Sequence, residues 1–525
     1  MKGKGKYHIW LFGMLLVVAA SLTACTFGQK PSEEHKLPPA KTVVEGGTLV
    51  IARKFDAGNL DPHFISTISA ASVVYQKVYE GLVTRDINMV IQPQLATEWQ
   101  QIDDVTWEFK LRHGVVFHDG TEFNADAVKK TFDRVRDPRV GSTRAAMFDK
   151  IKEVKVLDDY TVQIRLSAPF TPILSILASH EGSILSPRAI ATYGKDLSHH
   201  PVGTGPFTFS SWTAEKEIVL KENQHYWGNK PKLDQIIFRV IPDDAERIEL
   251  VEQGDAQIAE SIPVTEIERI QASQQMRIYR SEALGTEFVG FNVAKKPLND
   301  LRVRQAISYA IETGSIIKGV YNNVGTQANS TLGPKVFGYS FVLKKYPYDL
   351  NKARDLLDQA GYPDGFSTTI LTYNRMDRIN VAGVIRSQLK GIGIDAKIQV
   401  VSYDAFVDTL ERTKEHDIFV SGWGNATGDA DYNQYNLFHT MGGGRGNSFM
   451  YSNRELDQLI EAGREETNTQ KRLSIYAKAQ ELEMQEALIV PFRNLENLAA
   501  IHNSIEGFAM SPAGYLMLDK VMIKK

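Results

Sequence analysis

TTILTYNRMDRINVAGVIRSQLKGIGIDAKIQV, residues 368–400, changes its hydrophobic period twice. Thr368 to Tyr373 reads as a strand. Val381, Ile385 and Leu389 then recur at helical spacing, and Gly391-Ile392-Gly393 leads into Ile394, Ala396, Ile398 and Val400, which alternate as a strand does. Upstream, Phe288 to Val293 reads as another strand. Asp300 is placed to cap a helix carrying Val303, Ile307, Ala310 and Ile311, and Asn351 to cap one carrying Leu356, Leu357 and Ala360 that ends at Gly361. Helix alternating with strand over this length predicts an α/β lobe with a ligand crevice at its strand ends. Extended segments near Glu287 to Val293 and Leu488 to Phe492 flank the lobe, so it can swing as a unit on two crossing connections.

The N-terminal half reads differently. Gly47 to Ala52 opens with a strand, Asn59-Leu-Asp-Pro-His63 is a turn, and Val73, Val74, Val78 and Tyr79 predict a helix over Ala70 to Tyr79. From Thr106 to Leu111 the residues Trp107, Phe109 and Leu111 alternate with polar partners, as in a half-buried strand. Asn124 should then cap a helix with the stripe Val128, Phe132 and Val135. This part forms a small α+β lobe.

At the N-terminus, Lys2, Lys4 and Lys6 precede an apolar run from Ile9 to Ala20 and then Ser21-Leu-Thr-Ala-Cys25. That order is a secretory signal, and the run is too short to cross a hydrocarbon core, which takes about twenty residues. Cys25 is the only cysteine of the 525 residues, which excludes a disulfide framework and any CxxC site. Residues 26 to 45 are polar and proline-containing, a flexible tether. The formal charge of −3 becomes −6 without Lys2, Lys4 and Lys6, and no basic stripe for nucleic acid is present.

Several phrases occur in order: Val78-Tyr-Glu-Gly-Leu-Val83, Pro93-Gln-Leu-Ala-Thr-Glu-Trp99, Trp107 to Gly120, Pro201-Val-Gly-Thr-Gly-Pro-Phe207, Phe291-Asn-Val293, Pro297 to Ile311 and Ala360-Gly-Tyr-Pro-Asp-Gly-Phe366. Together they resemble the family 5 bacterial extracellular solute-binding proteins, whose members serve dipeptides, oligopeptides, glutathione, nickel chelates and some opines or sugars. Leu22-Thr-Ala-Cys25 likewise resembles a lipoprotein processing box, with lipid on Cys25. The resemblance implies an α/β protein with a two-lobed, type II periplasmic-binding-protein-like fold and an additional inserted α+β lobe. The expected divisions are a signal peptide at 1–24, a lipid-anchored linker at 25–46, lobe I at 47–80 with 199–288 and 493–525, the inserted lobe at 81–198, and lobe II at 289–492. Permease and ATPase subunits of an ABC importer are the implied partners, with a monomer held outside the cytoplasm by its lipid.

A peptide ligand is a zwitterion, so a buried site must supply an anion, a cation and partners for the amides. Peptide-binding members carry a Trp followed three positions later by an Asp that pairs with the ligand ammonium. Trp423 matches the Trp, but the third position after it is Ala426. The loop Ser421 to Tyr432 looks like the glutathione-importing branch instead. Within it Trp423, Asn425, Thr427, Asp429 and Asp431 are candidate ligand contacts, with turn and helix-cap duty as the alternative for the two aspartates. Tyr373, Arg375 and Arg378 lie at a crevice-forming strand end, where the family places a carboxylate-binding Arg, although solvated arginines there fit equally. Ser66, Thr67 and Ser69 occupy the first strand-to-helix loop, either facing ligand or capping the helix. The run Gly442 to Gly446 is turn chemistry, since no P-loop lysine accompanies it.

No GxSxG, HExxH or GxGxxG pattern is present, so no catalytic residue, metal ligand or cofactor is expected. The competing functions are capture of a nickel or other metal chelate and, more remotely, secreted hydrolysis.

Overall fold

The computed structural model describes residues 43–44, 46–442 and 447–524. The signal, Cys25 and nearly all of the tether lie outside the described residues, as do residues 443–446 of the glycine run. Among the described residues no helix is long and apolar enough to cross a membrane.

The largest element is a mixed sheet of ten strands in the spatial order Asp395–Val401, Ser367–Tyr373, Ile418–Trp423, Met276–Phe291, Ile489–His502, Ile258–Glu260, Thr48–Arg53, Gln235–Val240, Glu217–Glu222, Phe207–Thr213. Its fourth and fifth strands, 16 and 14 residues long, pair antiparallel and run much farther than the segments expected from sequence. One half of that pair borders a core built on Val289, Phe291, Val381 and Ile385, while Met276 and Ala500 belong to a separate core with Ile248 and Val251. The pairing slips register twice, between Glu282 and Thr286 and between Glu287 and Phe288. Such irregularities locally twist and bend a strand pair.

The strand–helix–strand reading of residues 368–400 corresponds to Ser367–Tyr373, Met376–Lys390 and Asp395–Val401, with the two strands parallel. Val381, Ile385 and Leu389 are fully buried. A second sheet of four strands holds Ala96–Asp103, Thr106–Leu111, Thr161–Leu166 and Ile151–Asp158 in that order. It packs under the helix Ala125–Arg136, capped by Asn124, in its own core with Phe109, Phe132 and Phe148.

Two local expectations change. The helix capped by Asp300 stands as expected, but Leu350–Gln359 is capped by Asp349, whose carboxylate accepts from the N–H groups of Asn351 and Lys352. Asn351 therefore sits in the first turn. The helix predicted for Ala70 to Tyr79 spans only Ile68–Val74. Tyr75 turns extended, and Gln76 has φ +60°, a conformation no helix continues through. Val78 and Tyr79 are buried all the same, because the chain doubles back under the same core. That turn builds one wall of the cavity described next.

Candidate functional site

The early helix stop brings Tyr75 and Lys77 to face the last residues of the chain. The Tyr75 hydroxyl donates to the Ala178 carbonyl at 2.6 Å, and its ring lies 4.6 Å from that of Tyr515. Lys77 is buried, with Nζ donating to the Leu516 carbonyl at 2.7 Å and the Tyr75 carbonyl at 3.3 Å. Burial away from a close anion pulls its pKa down to about 7. Tyr515 is fixed through its hydroxyl, 2.9 Å from His180 Nδ1.

Beneath this wall lies Glu80, a buried carboxylate that accepts from Thr204 Oγ1 at 2.7 Å, Tyr226 OH at 2.8 Å, Trp227 Nε1 at 2.8 Å and Gln94 Nε2 at 3.2 Å. Burial pushes its carboxyl pKa up, opposed by these four donors. Their joint effect is to lock Tyr226 and Trp227, whose indole also stacks under the Arg112 guanidinium at 4.5 Å. Tyr75, Lys77, Arg85, Tyr226, Trp227, Tyr515 and Asp519 are among the residues enclosing a cavity of about 410 Å³, and Ala426 closes it from the loop after strand Ile418–Trp423. That volume lies within the roughly 300–1,000 Å³ of small-molecule sites.

The residues singled out from sequence sit elsewhere. Asn425, Thr427 and Asp429 build the loop that holds Ala426. Asn425 donates to the Asp429 carbonyl and to Asn433, and accepts from the Gly428 N–H at 2.6 Å, while Thr427 Oγ1 lies 3.5 Å from Asn425. Asp429 caps the helix Ala430–Asn433 and receives both terminal nitrogens of Arg472 at 2.7 Å. Its capping duty was the alternative reading. Asp431 lies 2.8 Å from Arg464, and burial, partly offset by that arginine, raises its pKa to about 6.

Glu287 gathers Arg378 at 2.5 Å and Arg493 at 2.7 Å, with Arg375 at 3.9 Å and also paired to Asp377. Arg378 Nε reaches the Tyr373 hydroxyl at 3.2 Å. These residues and Trp423 do not converge. Trp423 pairs with Thr286 and Gly422 with Glu287, so strand alternation sends Trp423 and the Glu287 cluster to opposite faces of the sheet. Thr67 caps its helix, Ser69 receives Arg53 through its hydroxyl and carbonyl, and Ser66 is exposed. None of these side chains lines the cavity.

The sequence profile described as bacterial extracellular solute-binding proteins, family 5 middle, matches residues 90–445. The chain belongs to this family. It is 31% identical over 509 residues, 94% of its own length and 95% of the relative's, to the glutathione-binding protein GsiB of Shigella dysenteriae serotype 1. Its fold superposes on HbpA2 from Haemophilus parasuis with a TM-score of 0.83 at 28% identity, covering 91% of this chain and 100% of that one. The periplasmic binding protein DppA from Helicobacter pylori in complex with the peptide STSA gives 0.75 at 30% identity, covering 92% and 99%.

The cavity thus reaches Ala426, the position at which the resemblance led to an expected aspartate. The residues opposite were missed. Arg85 lies two residues past the phrase Val78 to Val83, and Tyr226-Trp227 lies some twenty residues past Pro201 to Phe207. Proximity to those phrases was the available signal, but no local periodicity marks a residue that becomes a wall only when distant segments meet.

Proposed function

We propose that this chain is the solute-capturing component of an ABC importer and that it takes a short peptide or glutathione-like ligand into the cavity bounded by Tyr75, Trp227, Tyr515 and Ala426. The observation that carries the reading is the cavity itself: a partly open space of small-molecule size, walled by aromatic side chains and holding a few fixed polar groups, in a chain alike to a glutathione-binding protein over nearly its whole length. Aromatic rings supply apolar area for the ligand backbone, and enclosure strengthens each polar contact by removing water.

In this reading the lobes divided at the long paired strands close on the ligand, because only the closed form touches it from both sides. The ligand is then handed to a permease. Cys25 carries lipid and holds a monomer outside the cytoplasm, at the outer face of the cell membrane or in the periplasm, a reading supported by Leu22-Thr-Ala-Cys25. The chain binds and does not hydrolyse, supported by family membership. Among the described residues no group of three or more His, Cys, Asp or Glu side chains could hold a metal ion; a nickel chelate would instead be held through Arg and Trp side chains, and the titration below separates it from a peptide.

Calorimetric titration of ligand-stripped protein with glutathione, a mixed di- to pentapeptide set and nickel with histidine tests this. Saturable heat with glutathione or a peptide is the expected result. Silence to every peptide with a response to the chelate overturns the assignment.

A further inference from the structure

Most ionic groups around the cavity already have partners, and the buried Lys77 ammonium is held by the Leu516 and Tyr75 carbonyls. Asp429 is taken by Arg472, Asp431 by Arg464, and Glu181 lies 3.9 Å from Arg144 and 3.1 Å from His180. The side chain of Arg85, at the end of the strand Val83–Arg85, has no hydrogen bond or ion pair among the described residues; it is part-buried, and its Nε is shut off from solvent with no partner among them. The guanidinium lies over Gly428: a Cβ built there would stand 2.0 Å from Arg85 Nη1. It is therefore held against the loop that carries Ala426, and it lines the same cavity. A partly desolvated cation without a partner carries a cost that is recovered when an anion arrives. Burial accordingly lowers the Arg85 pKa, with the already paired Asp429 as the nearest opposing charge.

The anionic side of the inventory is the reverse. Lys77, Arg85 and Asp519 are the charged side chains lining the cavity, and Asp519 is exposed at its rim. An ammonium pairing there would gain the roughly 0–1 kcal/mol of a surface ion pair, whereas truncating one partner of an enclosed charge pair costs about 2–5 kcal/mol or more. At position 426, on the far wall, alanine offers no charge.

Resting on the capture reading above, we infer that Arg85 anchors a carboxylate of the ligand, and that the site selects acidic short peptides by that carboxylate while leaving the ligand's free amino group dispensable. The class this admits is wider than α-amino peptides: γ-linked and N-acylated acidic peptides fit it as well.

The test is calorimetry of the full chain, unfolded and refolded to strip carried ligand, against glutathione, N-acetylglutathione and glutathione dimethyl ester, in the native protein and in Arg85→Met and Arg85→Lys. N-acetylglutathione should bind within about fivefold of glutathione, and the diester about thirtyfold or more weaker, the factor equivalent to roughly 2 kcal/mol. Arg85→Met should narrow the acid-to-ester ratio to within about threefold while binding the ester as the native protein does, which also shows that it folds. Arg85→Lys should restore part of the ratio. A diester that binds as well as the acid, an unchanged ratio in Arg85→Met, or a thirtyfold loss on N-acetylation overturns the inference and leaves peptide capture standing. Absence of binding by glutathione and by every peptide overturns the capture reading itself, and this inference with it.

Discussion

Replacing Asp429 by alanine separates structural duty from ligand contact. The side chains of Asp429 and Arg472 are 3% and 5% exposed, and they share two hydrogen bonds of 2.7 Å. Removing the carboxylate strands a buried guanidinium between the rings of Phe337 at 4.9 Å and Tyr476 at 5.1 Å, which cannot replace a full charge. Breaking a buried pair in this way costs about 3–5 kcal/mol. The same carboxylate accepts from the Asp431 N–H at 3.0 Å, and losing such a cap accounts for about 1 kcal/mol of that total. The expected destabilisation is therefore about 4 kcal/mol, read by urea unfolding with circular dichroism. Adding Arg472→Met removes the stranded charge, so the double variant should lose at least about 2 kcal/mol less than the two single losses summed. The coupling should persist in 1 M salt, since buried pairs are weakly screened. A loss below about 1 kcal/mol for Asp429→Ala, or strict additivity with Arg472→Met, would refute the reasoning. A large drop in glutathione affinity without loss of stability would instead make Asp429 a ligand contact.

Glu80→Gln keeps the shape of the buried group but replaces one acceptor oxygen by an N–H₂, which then faces either Tyr226 OH and Gln94 Nε2 or Trp227 Nε1 and Thr204 Oγ1. An unsatisfied buried donor costs about 1–3 kcal/mol, so unfolding should shift by about that much and glutathione affinity fall as the aromatic wall loosens. Because Lys77 gains its proton as pH falls through about 7, affinity for S-methylglutathione, which has no thiol to titrate, should rise between pH 8.5 and pH 6, and Lys77→Met should flatten that rise in calorimetry. Asp431 has a folded pKa of about 6, above its ordinary 3.8, so its contribution to stability is fully present below about pH 4 and lost as pH rises through 6. Urea midpoints from pH 4 to 7 should show that loss in the native chain and not in Asp431→Asn. Gly428→Ala must seat a methyl 2.0 Å from Arg85 Nη1 at φ +66°, and should weaken glutathione by about tenfold in the same titration.

Some of this was legible without coordinates because it is local. The period change across residues 368–400 needs only neighbouring side chains, and it yields the same strand, helix and strand in the fold. The Asn124, Asp300 and Thr67 caps are likewise set by a side chain and the N–H groups two or three residues on. Ala426 was flagged by its distance from Trp423 along the chain, and it does line the cavity.

What sequence could not supply is which charges are already taken. Asp429 and Arg472 are 43 residues apart, and Glu287 and Arg493 are 206 apart. Reading one member of each pair alone makes it look free for a ligand. The helix through Tyr79 failed for a related reason: Val78 and Tyr79 are as apolar as a helix face requires, but contacts with Ala178 and Leu516, more than a hundred residues away, hold Tyr75 and Lys77 in a turn. Charge pairing and cavity walls are sums over segments brought together by folding, whereas period and capping are sums over adjacent residues. The sequence by itself therefore determined the class of fold and singled out the loop that carries Ala426, and only the tertiary structure decided that this loop reaches the cavity and that the Arg85 side chain lines it without a hydrogen-bond or ion-pair partner among the described residues.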